Sequence, residues 1–335
     1  MRATAVAHPN IALSKYWGKR EHGHNLPAVP SLSVTLAGMT TTTTVAFDHA
    51  LSADHFELDG EPAPAAAARR VTALLDRVRA AAGIEARAAV TSENDFPTAA
   101  GLASSASAFA ALALAATSAA GLRWDSARVS DLARKSSVSA ARSVFGGFVA
   151  LSAGAAEPPG EDELAAMPVA EPDHFPLRVI VAVTREGPKS TLSTEGMLHT
   201  QRTSPFYSAW VETAPALYAR VRAAVLERDL HALGTTAEES ALRMHAAAIA
   251  ACPGLIYWAG ATVEVMDEVR RLRAGGAAAY FTIDAGPHVK VLTTADLAPE
   301  VERALAQVKG VRRTILARPG GGARLRSSHT SDGAT

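Results

Sequence analysis

The order in which strand-like and helix-like stretches follow one another constrains this chain most. Four strand patterns come first: Ala3 to His8, Ile11 to Trp17, Leu32 to Leu36 and Thr41 to Phe47. Each carries alternating or β-branched residues. The threonine run 40–44 reads as an edge or half-exposed strand, because threonine suits a pleated surface. His55 to Leu58 followed by Asp59-Gly60 predicts a hairpin. Ala65 to Ala82 has leucine and valine on one helical face and arginine on the other, and closes at Gly83. A strand over Ala86 to Thr91, helices over 106–120 and 126–135, and a strand over Gly146 to Leu151 follow. Residues 154–174 are rich in Pro, Glu and Ala and read as an insert or inter-domain connection. Beyond them lie a strand (177–184), helices near 190–201, 206–226, 229–250 and 261–274, and strands at 278–283 and 289–292. A helix (299–309) and a strand (314–317) close the pattern, before a Gly/Ser-rich tail expected to fray. Strand and helix do not alternate strictly, which favours α+β over a doubly wound parallel sheet.

With 335 residues, of which 48% are hydrophobic and 20% charged, the chain can bury cores for two domains. Lys plus Arg and Asp plus Glu number 33 each. That balance gives no global pull toward nucleic acid or an anionic membrane, although one cleft can still be locally charged. Cys252 is the sole cysteine, so no intramolecular disulfide forms, as suits a reducing cytoplasm. It follows an apolar helical run and is expected to be a small buried side chain. The opening MRATAVAHPN lacks an apolar signal core, and no apolar stretch reaches the roughly eighteen residues of a membrane span. A soluble, cytoplasmic chain is the expectation.

The strongest local signal is Phe96-Pro97-Thr98-Ala99-Ala100-Gly101-Leu102-Ala103-Ser104-Ser105-Ala106. Glycine and small residues let the backbone curl against a ligand. The helix that follows offers unpaired N–H groups and a positive dipole end. Together they form an anion cradle suited to a nucleotide phosphate. Ser104 or Ser105 can offer a hydroxyl to a phosphate-bound Mg²⁺. No Gly-Lys-Ser/Thr follows the glycine, so this is not a Walker A loop, and the three spaced glycines of a dinucleotide fingerprint are missing. On composition alone an ordinary turn with a serine cap competes equally.

Other segments carry chemistry by residue type. Lys15, Lys19 and Arg20 cluster after a strand and suit an anion, or else form a solvated basic loop. Ser31 and Ser33 alternate on one strand face. Arg142, beyond the hydroxyl-rich run Ser136-Ser137-Val138-Ser139, has the planar fork that holds a carboxylate or phosphate. Asp284 ends a strand before Gly286-Pro287, where it serves a cleft as base or anchor, or simply forms the turn.

In their order, these segments resemble the GHMP small-molecule kinase superfamily, whose loop reads Pro-x-x-x-Gly-Leu-x-Ser-Ser-Ala. Pro97, Gly101, Leu102, Ser104, Ser105 and Ala106 match it. The fuller FPTAAGLASSASAFAAL is similar to the diphosphomevalonate decarboxylase family. So are NIALSKYWGKR (10–20), SLSVTL (31–36), RSVFGG (142–147), STEGM (193–197) with Thr203-Ser204, and DAGP (284–287). The resemblance implies the GHMP kinase fold, with the active site between two domains. Residues 1–175 would form an ATP-binding domain like domain 2 of ribosomal protein S5, and 176–318 a ferredoxin-like domain, ahead of a flexible tail (319–335). It implies ATP-dependent decarboxylation of mevalonate 5-diphosphate to isopentenyl diphosphate, with ATP as co-substrate and Mg²⁺. It further implies a cytoplasmic homodimer without nucleic-acid or membrane partners. Catalysis would fall to Asp284, Lys15 and Arg142. Tyr16, Lys19, Ser31, Ser33, Ser137, Ser139 and Ser204 would contact substrate. Pro97, Ala100, Gly101, Leu102, Ala103, Ser104 and Ser105 would contact ATP, with Ser105 near Mg²⁺.

The chain departs from the family at Val29-Pro30 before SLSVTL, where Asn-Ser-Ser or similar is frequent. It also departs at Val138, where glycine is common, and at Pro205, where some bacterial relatives carry a basic residue. All three touch the diphosphate end. A mevalonate 5-phosphate decarboxylase and a mevalonate 3-kinase therefore stand as alternatives. A different GHMP kinase fits KYWGKR and DAGP less well. A catalytically inactive nucleotide-binding protein is the alternative from another class.

Overall fold

The computed structural model describes residues 1–20, 25–96, 104–154, 164–185, 187 and 191–326. The first half of the chain supplies β1 (Arg2–Ala7), β2 (Asn10–Ser14), β3 (Ser31–Ala37), β4 (Thr41–Asp48), β5 (His55–Leu58) and β6 (Glu61–Pro62). It continues with α1 (Ala65–Ala82), β7 (Arg87–Asn94), α2 (Ser104–Ala119), α3 (Ser126–Ser136), α4 (Ala140–Ser143) and β8 (Phe148–Leu151). The second half supplies β9 (Met167–Ala170), β10 (Arg178–Val183), α5 (Ser193–Thr203), α6 (Tyr207–Glu227), α7 (Leu230–Ile249) and α8 (Gly260–Ala274). It ends with β11 (Tyr280–Ile283), β12 (Val289–Thr293), α9 (Ala298–Gln307), β13 (Arg313–Pro319) and β14 (Arg324–Leu325).

The strands build two sheets. One has the order β14-β1-β4-β7-β5-β6; the other runs β11-β12-β10-β13-β3-β8-β9, with β2 paired to β3. The β5–β7 pair is parallel and the remaining pairs are antiparallel, in keeping with an α+β class. β3 pairs with β13, so the second sheet joins strands from both halves of the chain.

Local chemistry explains the elements that frame the site. α1 buries Val71, Leu74, Leu75 and Val78, and each leucine contributes about 1.5–3 kcal/mol by leaving water. It stops at Gly83, whose left-handed φ of 64° lets its N–H reach the Arg79 carbonyl. α2 is alanine-rich and buried around most of its circumference, so its backbone lies close against β1 and β4. Asp125 and Asp229 cap α3 and α7 by accepting from Arg128 N and Ala232 N.

Several expectations need correction. Of the two readings of the threonine run, the half-exposed strand holds and the edge does not: β4 lies between β1 and β7, with Thr41 and Thr43 buried and Thr42 and Thr44 half-exposed. The tail does not fray from residue 319. Gly320 N donates to Thr35 O at 2.8 Å, and β14 pairs with β1, because an unpaired sheet edge was available there. Cys252 is exposed, since α7 ends at Ile249 and the cysteine falls in the following turn, before a cis Cys252–Pro253 bond. Part of the Pro-rich connection forms β9 against β8. No helix among the described residues is long and apolar enough to cross a membrane.

Candidate active site

A cavity of about 620 Å³ is lined by residues from β2 and the segment after it, α1, the start of α2, the 136–142 region, the start of α5, and the turn after β11. A larger hollow of about 1020 Å³ lies elsewhere, among sheet-face threonines with Arg2, Glu93 and Arg326. Those three charged residues are exposed, whereas the first cavity gathers buried charge; the chemistry therefore belongs to the smaller one.

Its centre is Asp284, immediately after β11. The β2–β3 register shifts between Ala12 and Ser14, which re-aims the chain just before Lys15. Lys15 N donates to Ser240 Oγ at 2.9 Å. Its Nζ donates to Ala12 O at 2.8 Å and to Asp284 Oδ1 at 2.6 Å. On the other side Lys290 Nζ, from β12, forms an ion pair with Asp284 Oδ2 at 3.1 Å. Both lysine side chains are 1% exposed and the aspartate 24%. Burial works to raise the Asp284 pKa, but the two ammonium groups outweigh it and hold the carboxyl well below the usual range. Burial lowers Lys15 to about 8 against the pull of Asp284, with Lys290 and Arg142 adding to the fall.

Arg142, on the short α4, lines the same cavity. Its Nε donates to Ser33 Oγ at 3.0 Å and its Nη1 to Ser31 Oγ at 2.7 Å. Burial brings its pKa down to about 10, a level at which it stays charged at neutral pH. Asn10 Nδ2 ties this region to β2, donating to Ser139 O at 3.0 Å and Ser143 Oγ at 2.7 Å. Three buried cations thus face one carboxylate, which makes the site receptive to anions.

Farther along, Lys19 Nζ donates to Asn25 Oδ1 at 2.6 Å and Thr194 Oγ1 at 3.3 Å. Burial and the nearby Arg70 lower it to about 8. Arg70 Nη2 donates to Ser136 O, and its guanidinium lies 4.5 Å from the Phe109 ring centroid. Tyr16 Oη and Ser136 Oγ are buried and have no hydrogen-bond partner among the described residues. Burial raises the Tyr16 pKa, so it stays a phenol that can donate.

The structure therefore brings Lys15, Tyr16, Lys19, Ser104, Ser105, Ser137, Ser139, Arg142 and Asp284 to one cavity. Ser31 and Ser33 are fully buried and grip Arg142 instead of lining the cavity. Ser204 is not there either: it follows α5, and its Oγ accepts from Phe206 N. Pro97, Ala100, Gly101, Leu102 and Ala103 lie outside the described residues. Lys290, Arg70, Asn10 and Asn25 were not foreseen. The helix pattern over Ala65 to Ala82 puts its arginines on the face opposite the leucines and valine, and only the Arg70 bond to Ser136 O ties it to the site.

The cavity can take a carboxylate at Arg142, a hydroxyl beside Asp284 and Lys15, and phosphates along Lys19, Arg70 and the serines. Residues 7–165 match the model of the diphosphomevalonate decarboxylase-like N-terminal domain, and 179–319 that of the mevalonate 5-diphosphate decarboxylase C-terminal domain. The chain is 34% identical to diphosphomevalonate decarboxylase of Candida albicans over 303 residues, covering 86% of this chain and 83% of that protein. It is also 34% identical to phosphomevalonate decarboxylase of Haloferax volcanii, covering 91% and 92%. Its fold matches mevalonate diphosphate decarboxylase from Staphylococcus aureus with a TM-score of 0.91 at 36% identity, over 97% of this chain and 98% of that one. A second solved structure, MDDEF in complex with MVAPP, AMPPCP and magnesium, superposes with a TM-score of 0.90 at 37% identity, over 98% and 99%.

Proposed function

The chain belongs to the diphosphomevalonate decarboxylase family, and from that premise we propose that it converts mevalonate 5-diphosphate and ATP to isopentenyl diphosphate, CO₂, ADP and phosphate. The observation that carries this is the Lys15–Asp284–Arg142 group in one cavity beside the start of α2.

Arg142 binds the substrate carboxylate, pre-aimed by Ser31 and Ser33. Asp284 accepts a hydrogen bond from the tertiary 3-hydroxyl. Its depressed proton affinity makes it a weak base in the resting site. The proton moves to it once O–P bond formation has acidified the hydroxyl, which suits a loose phosphoryl-transfer transition state. The hydroxyl oxygen bonds to the γ-phosphorus and ADP leaves. Asp284 passes the proton to an oxygen of the new 3-phosphate. The C3–O bond then breaks with its electron pair going to that phosphate, and Asp284, anionic again, offsets the cationic C3. The bond to the carboxylate breaks next. Its electron pair forms the double bond, and CO₂ departs from Arg142. Lys15 neutralises the oxygens that gain charge. Tyr16, Lys19, Ser137 and Ser139 hold the diphosphate.

Ser104 and Ser105 open α2, where backbone N–H groups favour a nucleotide phosphate. Among the described residues no group of three His, Cys, Asp or Glu forms a metal cluster. A Mg²⁺ ion coordinated mainly by phosphates and water needs only one or two protein oxygens, so the Ser104 or Ser105 hydroxyl fits it. When bound, Mg²⁺ supplies charge neutralisation on the transferring phosphoryl group.

A second substrate, mevalonate 5-phosphate, has support in the Haloferax volcanii relative, which matches over nearly its whole length. Purified protein with Mg-ATP and each mevalonate phosphate, in competition, tests both. Isopentenyl diphosphate and CO₂ as the preferred products support the proposal, and isopentenyl phosphate would overturn it in favour of the monophosphate. A cytoplasmic homodimer without nucleic-acid partners belongs to the same proposal, and light scattering of the purified protein checks the dimer.

A further inference from the structure

Lys290 sits in Val289-Lys290-Val291-Leu292, a plain strand in sequence, and it does not line the cavity. It is nevertheless 1% exposed, with its Nζ 3.1 Å from Asp284 Oδ2, while Lys15 occupies Oδ1. Burying an ammonium sacrifices several kcal/mol of hydration, so it persists only where a charge compensates it. β12 lies between β10 and β11, and the Lys290 Cα is paired with Val181 on one side and Thr282 on the other. The point from which the side chain projects is therefore held from both sides. Lys290 Nζ also lies 3.5 Å from His288 O.

We infer that Lys290 is a positioning residue for the reaction: its ammonium holds Asp284 Oδ2, keeping the carboxylate ionised and turned with Oδ1 toward Lys15 and the substrate hydroxyl. This rests on Asp284 acting at that hydroxyl, as proposed above. The groups facing Asp284 are Lys15 after β2, Lys290 on β12, His245 on α7 and, more distantly, Arg142 on α4. Burial lowers His245 to about 3, so it is neutral and adds no charge. The ring of His288, on the same turn, is engaged by Thr184 N at 3.2 Å. Lys290 is thus the one group behind the carboxylate, among those facing it, that supplies positive charge without touching substrate. It also repels the proton on Lys15, so its removal raises the Lys15 pKa from about 8.

The test compares Lys290→Met, Lys290→Arg, Asp284→Asn and the double variant Lys290→Met/Asp284→Asn, measuring ADP and CO₂ with Mg-ATP and mevalonate 5-diphosphate. Lys290→Met should lower kcat roughly ten- to hundredfold, the range set by losing one bond to a charged group. The alkaline limb of its kcat/KM profile should change shape and become shallower, because loss of the Lys15 proton moves to higher pH while Lys19 still titrates near 8, and Lys290→Arg should recover most of the rate. The double variant should be no slower than Asp284→Asn alone, because the two residues act as a unit. A merely structural lysine would lower the active fraction at every pH and leave the shape of the limb unchanged. Unchanged kcat in Lys290→Met, an unchanged limb, or losses that multiply in the double variant would overturn the inference. Should Lys290→Met not fold, Lys290→Gln replaces it: slow Gln with active Arg supports the role, and equal rates reject it. Full activity in Asp284→Asn would overturn the role of Asp284 itself, and this inference with it.

Discussion

Ser31 and Ser33 offer the sharpest separation between binding a substrate and aiming a residue that binds it. Each hydroxyl accepts from the Arg142 guanidinium, at 2.7 and 3.0 Å, and all three side chains are buried. Replacing both serines by alanine leaves the charge in place but removes two acceptors. A buried donor left unsatisfied costs about 1–3 kcal/mol, so stability to urea should fall by a few kcal/mol at most. The catalytic effect is of similar size in free energy, because a displacement of about 1 Å in a catalytic group can cost on the order of a hundredfold in rate, or about 2.7 kcal/mol. CO₂ release should drop by roughly that factor, and ADP formation by less, since Arg142 acts at the carboxylate end. Ser31→Ala, which removes the shorter bond, should account for more of the loss than Ser33→Ala. Radiolabelled CO₂ capture beside a coupled ADP assay separates the two outputs. A folded double variant with unchanged kcat and a raised KM would refute the reasoning, since that pattern marks direct ground-state binding by the serines.

Three other outcomes follow from the geometry. Asp284→Ala should lower CO₂ release by on the order of a hundredfold or more, and near-wild-type turnover would remove it from the mechanism. Burial lowers both Lys15 and Lys19 to about 8, and both must be protonated to meet anions. kcat/KM should therefore fall as pH rises through about 8 and steepen beyond it as the second proton is lost, which a pH–rate profile checks. Gly18 has a φ of 105°, and a Cβ there would collide with the Tyr207 hydroxyl, so Gly18→Ala should destabilise the fold by at least about 1–3 kcal/mol in denaturant melts.

How much of this could be read beforehand depended on the range over which each residue's role is decided. Lys15, Arg142 and Asp284 sit at element ends, where a strand or helix hands over to a turn, and such positions announce themselves in a short string. The helix over Ala65–Ala82 was likewise decided locally, by an apolar stripe and a terminal glycine. The serines of β3 were visible as hydroxyls on one strand face. Their partner lies more than a hundred residues away, so the sequence could not distinguish a substrate contact from a grip on Arg142. The same limit left two readings of the threonine run open, edge or half-exposed, because its neighbours β1 and β7 are set by sheet order rather than by its own composition.

Lys290 shows the physical reason most plainly. A lysine amid valines is ordinarily the solvent side of a strand, because an ammonium is strongly hydrated. Here β12 is flanked by β10 and β11, and the Thr282–Lys290 register sets the ammonium beside the residue two positions after Thr282. Burial thus converts an unremarkable strand residue into half of the electrostatic frame around Asp284. Among the described residues, Lys15, Lys290 and Arg142 gather around the single carboxylate of Asp284 in the buried core of the site, which gives it a positive character. A substrate bearing both a carboxylate and phosphates adds negative charge beside these cations. Substrate binding should therefore stabilise the fold as well as start the reaction, and the carboxylate that leaves as CO₂ removes part of that charge and favours release of the product.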